Sequence, residues 1–315
     1  MSRAFIPVEE KLLKDVYNYL TQRNIIDKEN IHGVVGISCM SLIKAVSEEL
    51  SYNVKFVGGR KNRPWIKFVE DNINSEEKTK KIKIINLTYP NVTEEDFEGE
   101  FDIIDVSWLN MAGEKNKRKA DCFVCSGHYL MGRLFDIKLS FMFFKDKHLA
   151  DKINKKTFIN STGVKYNDLK IVEQFISRSK KYDKMIKNDI EIKRKIFIIL
   201  SSLVNLFNIR YNKNLSISKF AAIEYFLIDN VNDNDKKLFH KYLENKFKLK
   251  ILDKKDEFLN LRFYSPVERE KNILLHIQRM KLLLNEVIIF DKSFLHGQGV
   301  DANKYDKYIR NLLNL

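Results

Sequence analysis

Four short runs rich in β-branched and aromatic residues follow one another between positions 82 and 144: Ile82–Leu87, Phe101–Leu109, Ala120–Ser126 and Leu134–Phe144. Runs of this length and composition, bounded by turn formers, read as strands. The cluster Asn110–Lys117 separates the second from the third, and Ser126-Gly127-His128 with Gly132 separates the third from the fourth. The series predicts one consecutive antiparallel meander, and any fold for this chain must be built around that sheet.

Helical spacing flanks the strands. Leu12, Leu13, Val16, Tyr17 and Leu20 recur on one face of Val8–Arg23, and Leu42, Ile43, Val46 and Leu50 do so after Ser38 or Ser41, either of which can cap the helix. Tyr52–Val57 alternates as a short strand does. After about Asp151 the spacing becomes helical at Leu169–Ser179, Asp183–Asn208, Ser218–Asn230, Asp233–Phe247 and Glu268–Val287, with a candidate hairpin at Phe247–Leu252 and Phe258–Tyr264. The expected class is α+β, a mixed central sheet flanked by helices and followed by a mainly helical C-terminal part. The expected domains are 1–150, sheet-containing, and 151–315, helical, with a winged-helix-like segment.

Composition narrows the class of function. A hydrophobic share of 44% over 315 residues supports a sizeable core. The net charge of +14, from 56 Lys+Arg against 42 Asp+Glu, attracts polyanions, so DNA is the expected partner. An AT-rich genome, which enriches Lys, Asn and Ile, produces the same composition without any binding. The three cysteines Cys39, Cys122 and Cys125 are too few and odd in number for a disulfide framework, which points to a reducing, cytoplasmic setting. Cys122 and Cys125 have CxxC spacing but no second pair, and sit in an apolar run; they read as small buried hydrophobes. Met1–Pro7 lacks the pattern of a signal peptide. The longest apolar candidate, Ile196–Ile209, is interrupted by Ser201, Ser202 and Asn205 and reads as a buried helix rather than a membrane span.

The most specific stretch is Lys119-Ala120-Asp121-Cys122-Phe123-Val124, followed by Phe135-Asp136-Ile137-Lys138. On a strand Asp136 and Lys138 share one face. Two carboxylates converging from neighbouring strands would suit Mg²⁺, and a lysine beside them could assist metal-dependent phosphodiester hydrolysis. These residues resemble the core of the PD-(D/E)XK, restriction-endonuclease-like nucleases. The resemblance covers about 20 residues. It implies Asp121 and Asp136 as Mg²⁺ ligands and Lys138 as the catalytic lysine, with Glu48 or Glu49 as a further acid. Ala120 stands where that family has Pro, and Asp136 where Glu is more frequent. The alternative for Asp121 and Lys138 is an ion pair across a solvated sheet face.

Other segments fit a nucleic-acid reading. Arg60, Lys61 and Arg63, beside Trp65, could contact phosphates and stack a base, and Lys115, Lys117, Arg118 and Lys119 precede Asp121 directly. Gly33–Ser41 is a glycine-bearing turn into a helix, a pattern that can hold a phosphate or S-adenosylmethionine, although the full GxGxxG fingerprint is missing. The histidines show no metal-binding spacing, and neither GxSxG nor a Walker motif occurs. The expectation is a Mg²⁺-dependent DNA endonuclease of a restriction system, possible as a homodimer. The alternative is a non-catalytic nucleic-acid-binding accessory protein of a virus or plasmid, with a methyltransferase-like protein as a third reading.

Overall fold

The computed structural model describes residues 10–57, 64–86, 99–132, 134–160, 164–211, 216–220, 224–228 and 258–259, with Leu274, Gln278, Lys281, Leu284 and Asn285. Its main feature is a mixed six-stranded sheet flanked by helices, the α+β class the sequence implies. The strands are β1 (His32–Gly36), β2 (Asn53–Val57), β3 (Lys81–Asn86), β4 (Phe101–Asp105), β5 (Cys122–Ser126) and β6 (Ser140–Phe144), in spatial order β1-β6-β5-β4-β3-β2.

The antiparallel meander is overturned. β2, β3, β4 and β5 are parallel neighbours, and only β6 runs against the others, between β5 and β1. Parallel strands need crossovers. Helix α2 (Cys39–Leu50) carries the chain from β1 at one edge to β2 at the other, and α3 (Pro64–Ile73) links β2 to β3. The short helix α4 (Leu109–Ala112) and residues 113–121 link β4 to β5; α5 (Gly127–Leu130) starts the return to β6. The expected strand over 134–144 begins only at Ser140, so Asp136 and Lys138 lie in a connection.

Both faces of the sheet are buried, which explains why its strands read as continuous apolar runs. Val35, Val57, Ile85, Ile104, Phe123, Cys125, Phe141 and Phe143 face α1 (Glu10–Gln22), α7 (Tyr166–Ser177) and the first half of α8 (Ser179–Tyr211). Val34, Val54, Phe56, Ile84, Ile103, Cys122, Val124, Met142 and Phe144 face α2, α3 and α6 (Lys147–Asn160). Cys122 and Cys125 are free and buried, as the sequence suggests. The glycines of β1 serve close packing: a Cβ on Gly36 would stand 2.7 Å from Leu42 Cγ.

Contacts divide the chain into one unit of 1–194 with 219–224, and another of 195–218 with 225–315. The helical reading of Ser218–Asn230 is corrected: β8 (Glu224–Ile228) occupies it, following β7 (Ser216–Phe220), and β8 pairs antiparallel with β9 (Phe258–Leu259). A β-branched and aromatic run of this kind fits a strand as well as a helix. Asp233–Phe247 and most of the candidate hairpin lie outside the described residues. Ile196, Leu200, Val204 and Phe207 form a buried stripe of α8, while Ile198, Leu206 and Ile209 are exposed, so this segment is amphipathic rather than buried all round. Among the described residues no helix is long and apolar enough to cross a membrane.

Candidate functional site

Ligands in open α/β sheets collect outside the carboxyl ends of the strands. Here β1 to β5 all finish at one edge, and β6 starts there because it runs the opposite way. Gly36 and Ser126 both sit opposite Ser140 in the register. Asp105, the last residue of β4, pairs with Val124, so the chain beyond it runs alongside the end of β5.

A linked set of polar groups occupies this edge. Ser107 donates to one oxygen of Asp105 through its backbone N–H, at 3.0 Å, and through its hydroxyl, at 2.5 Å. The same hydroxyl accepts the backbone N–H of Ser126 at 2.9 Å. Ser107 and Ser140 are buried, and buried hydroxyls keep partners. Cys39, the first residue of α2, places its Sγ 3.3 Å from the hydroxyl of Ser140, to which it donates, and 3.8 Å from that of Ser107. One thiol therefore joins the start of α2 to the end of β4 and the start of β6.

Local sequence explains how α2 reaches this point. Ser38 accepts the backbone N–H of Ser41, and the Ser41 hydroxyl accepts that of Ser38, a reciprocal cap that fixes the first turn. Cys39 as a residue is only half-buried, but its sulfur is enclosed. Burial, and after it the charge of Asp105, pushes the thiol up to about 12. A thiol held protonated is a hydrogen-bonding spacer and not a nucleophile.

Aromatic residues flank the polar set. Trp108, just past Asp105 and Ser107, stacks on Tyr129 with ring centroids 4.2 Å apart and planes 26° from parallel. His128 Nδ1 lies 2.8 Å from the carbonyl oxygen of Phe135, which places the proton on that nitrogen. Asn110 donates to the carbonyl of Leu130 at 2.6 Å and to the Tyr19 hydroxyl at 3.1 Å, pinning the exits of β4 and β5 together.

The residues singled out by the nuclease resemblance do not gather here. Asp121 precedes β5 at the amino edge, where its carboxylate accepts the backbone N–H of Asp102 at 2.7 Å. Asp136 and Lys138 follow β5 at the carboxyl edge, exposed, with the Lys138 backbone N–H donating to Asp168 of α7 at 3.2 Å. The five residues of β5 hold Asp121 and Asp136 apart by roughly 16 Å at about 3.3 Å per residue, too far for one shared ion. Glu49 is taken up by Lys152 and Lys156 of α6, at 3.1 and 2.7 Å. Among the described residues no group of His, Cys, Asp and Glu could hold a metal ion, so the Mg²⁺ expectation is corrected.

Four of the basic residues lie on one connection. Lys115, Lys117 and Lys119 are exposed and Arg118 half-buried along the connection from α4 to β5, and Lys119 pairs with Glu29 at 3.6 Å. Arg60, Lys61 and Arg63 lie outside the described residues, as does the side chain of Trp65.

Sequence reasoning passed over Asp105, Ser107, Ser126 and Ser140. The usable signal was Asp105-Val106-Ser107 after the apolar pair Ile103-Ile104, an acid ending a strand. A single strand over 101–109 hid it.

The chain matches no family model and no curated protein sequence. Its structure resembles those of aminotransferases. The aromatic aminotransferase from Pyrococcus horikoshii OT3 is 12% identical with a TM-score of 0.61, over 90% of this chain and 88% of that one. YbdL from Escherichia coli, for which a methionine aminotransferase function was identified, is 11% identical with a TM-score of 0.59, over 89% and 86%. The histidinol-phosphate aminotransferase from Sinorhizobium meliloti, solved with pyridoxal-5'-phosphate, is 6% identical with a TM-score of 0.54, over 88% and 84%. The shared property is the fold. It replaces the restriction-endonuclease-like core, and with it fall the DNA endonuclease, the accessory DNA-binding protein and the DNA partner.

Proposed function

We propose that this chain binds a pyridoxal-phosphate-type cofactor at the carboxyl edge of its six-stranded sheet and acts in amino-group chemistry, the activity named for the proteins of like fold. The observation that carries the reading is Asp105. A pyridoxal cofactor supplies an electron sink once its ring nitrogen is protonated, and that proton needs an acidic partner. Asp105 ends a central parallel strand, and two donors from Ser107 fix one of its oxygens. Its carboxylate is thereby oriented before any ligand arrives, which lowers the entropic cost of binding.

Other groups at this edge suit the rest of such a ligand. The amino terminus of the 12-residue α2 favours an anionic phosphate through its amides and dipole. The Trp108–Tyr129 pair supplies flat apolar surface beside Asp105. Cys39 and Ser140 tie α2 to the sheet, so the helix terminus and Asp105 keep a fixed separation. The free cysteines accord with a reducing, cytoplasmic setting.

The residues fit the ring and the phosphate of the cofactor. Among the described residues that directly follow β1, β4 and β5 there is no lysine for covalent attachment, which requires one. No step that needs such a lysine is therefore assigned to this chain.

Calorimetric titration of the protein with pyridoxal phosphate and with pyridoxamine phosphate tests the reading, alongside Asp105→Asn. Saturable binding that weakens at least tenfold in the variant supports it; no heat with either compound sinks it. Amino-group transfer is checked separately, with amino acids and 2-oxo acids in the presence of the cofactor. Binding without any turnover would confine the function to ligand binding.

A further inference from the structure

The described residues that directly follow β1, β4 and β5 at the carboxyl edge carry no lysine, an unusual composition for a pyridoxal site; Lys138 stands at that edge only further on, ahead of β6. Ile37–Ser38 after β1, Val106–Trp108 after β4 and Gly127–Gly132 after β5 lack one, and none occurs anywhere between Lys119 and Lys138. His128 and Tyr129 stand just beyond the end of β5 instead, His128 held by the carbonyl of Phe135 and Tyr129 stacked on Trp108.

Other described lysines are placed elsewhere, Lys115 and Lys117 exposed on the connection from α4 to β5. Lys44, in the second turn of α2, pairs with Glu48 at 3.7 Å. Lys83 pairs with Asp102 at 3.5 Å, towards the amino edge. Lys138 is exposed between Ile137 and Leu139, whose buried side chains face α1 and α7, and its backbone is tethered to Asp168.

An aldehyde-form cofactor gains much of its hold on a protein from the imine it makes with a lysine amine. Without that amine, the aldehyde and amine forms differ little to the site, because ring, phosphate and ring nitrogen are common to both. The amine form brings its own amino group and needs no protein lysine. The Ser126 hydroxyl, the Tyr129 ring and Asp105 can serve either form by hydrogen bonds and stacking alone.

We infer that this chain holds its cofactor without a covalent bond and accepts the amine form, pyridoxamine phosphate, at least as readily as the aldehyde form. The inference rests on the proposed cofactor site and adds its binding mode.

The full-length protein is incubated with pyridoxal phosphate, reduced with borohydride and mapped by peptide mass, with Asp105→Asn treated in parallel. Calorimetry with both forms runs beside it. Exposed lysines label equally in both proteins, so an adduct counts only if the variant loses it. Expected are no such adduct and a Kd for pyridoxamine phosphate equal to or below that for pyridoxal phosphate. One adduct per chain on a single lysine, Lys61 and Lys138 included, that disappears in the variant overturns the inference. So does an aldehyde form bound tenfold more tightly than the amine form. Absence of binding by either form overturns the cofactor site itself, and this inference with it.

Discussion

The two edges of the six-stranded sheet hold carboxylates in opposite ways. At the amino edge Asp121 accepts the backbone N–H of Asp102, Asp102 pairs with Lys83 across the β3–β4 register, and Lys119 and Lys145 both reach Glu29. Asn30, fully buried, donates to the carbonyls of Asp121, Ala120 and Phe143, at 3.0, 3.3 and 3.4 Å. Each acid there meets a lysine or an amide, and the result is a clamp on the strand starts. At the carboxyl edge Asp105 is held by a hydroxyl and an amide of Ser107, beside the start of a long helix and an aromatic pair. The acids of the amino edge fasten the strand starts, whereas Asp105 is oriented by Ser107 at the head of the sheet.

This contrast can be broken or sharpened by experiment. The largest effect is expected for the thiol of the carboxyl edge. Burial lifts Cys39 from an ordinary 9.0 to about 12, so alkylation at neutral pH should be about 1000-fold slower than for an exposed thiol, tenfold for each pKa unit. The folded state holds this proton more tightly than the unfolded chain does. Its contribution to stability is therefore complete below about 9 and lost as pH rises towards 12. Rapid labelling of native protein at pH 7 would show a site far more open than the structure.

Next in size is the core that both edges share. Phe143→Ala removes a buried ring next to α1 and should cost about 3–5 kcal/mol in urea unfolding. Loss of cofactor binding should accompany it only as folded protein is lost.

Asn30→Ala strikes the amino edge alone. It removes the side-chain donor from three carbonyls and should cost about 1–3 kcal/mol of stability, with pyridoxamine phosphate binding unchanged. Asp105→Asn is the converse, at least tenfold weaker binding with little change in unfolding midpoint. If Asn30→Ala weakened binding as Asp105→Asn does, the separation between the edges would fail.

Asp121→Ala is expected to have the smallest effect. The residue is exposed and loses one acceptor contact, so the unfolding midpoint should move little and binding not at all. A larger loss of binding than that of Asp105→Asn would return attention to the amino edge.

Several elements were legible before the fold. The 3.6-residue spacing of Leu12, Val16 and Leu20 gave α1, and Ser38 with Ser41 gave the start of α2, because both signals are local. The apolar runs located β3, β4 and β5 to within a few residues. Their direction was not legible. Short connections suggested hairpins, yet the chain returns between β4 and β5 through α4 and twelve further residues, and lays the strands parallel.

The candidate site was the least legible part, since it depends on that direction. Asp121 and Asp136 are 15 positions apart and seemed to converge, but parallel strands place one before β5 and the other beyond it. Asp105 and Cys39 are far apart in sequence and face the same small volume. The lysine-rich composition raised the net charge to +14, and among the described residues its charges fall on connections and helix faces.

The sequence by itself determined where α1, the start of α2 and the runs of β3, β4 and β5 lie, that Cys122 and Cys125 are small buried residues, and that no lysine lies between 119 and 138. These follow from residue type and near neighbours. Only the tertiary structure decided that β6 alone runs against the rest, that the ends of β1, β4 and β5 meet, and that Asp105 stands among them. Strand direction is a property of the whole path, set by which faces must be buried together, and no single window of the chain carries it.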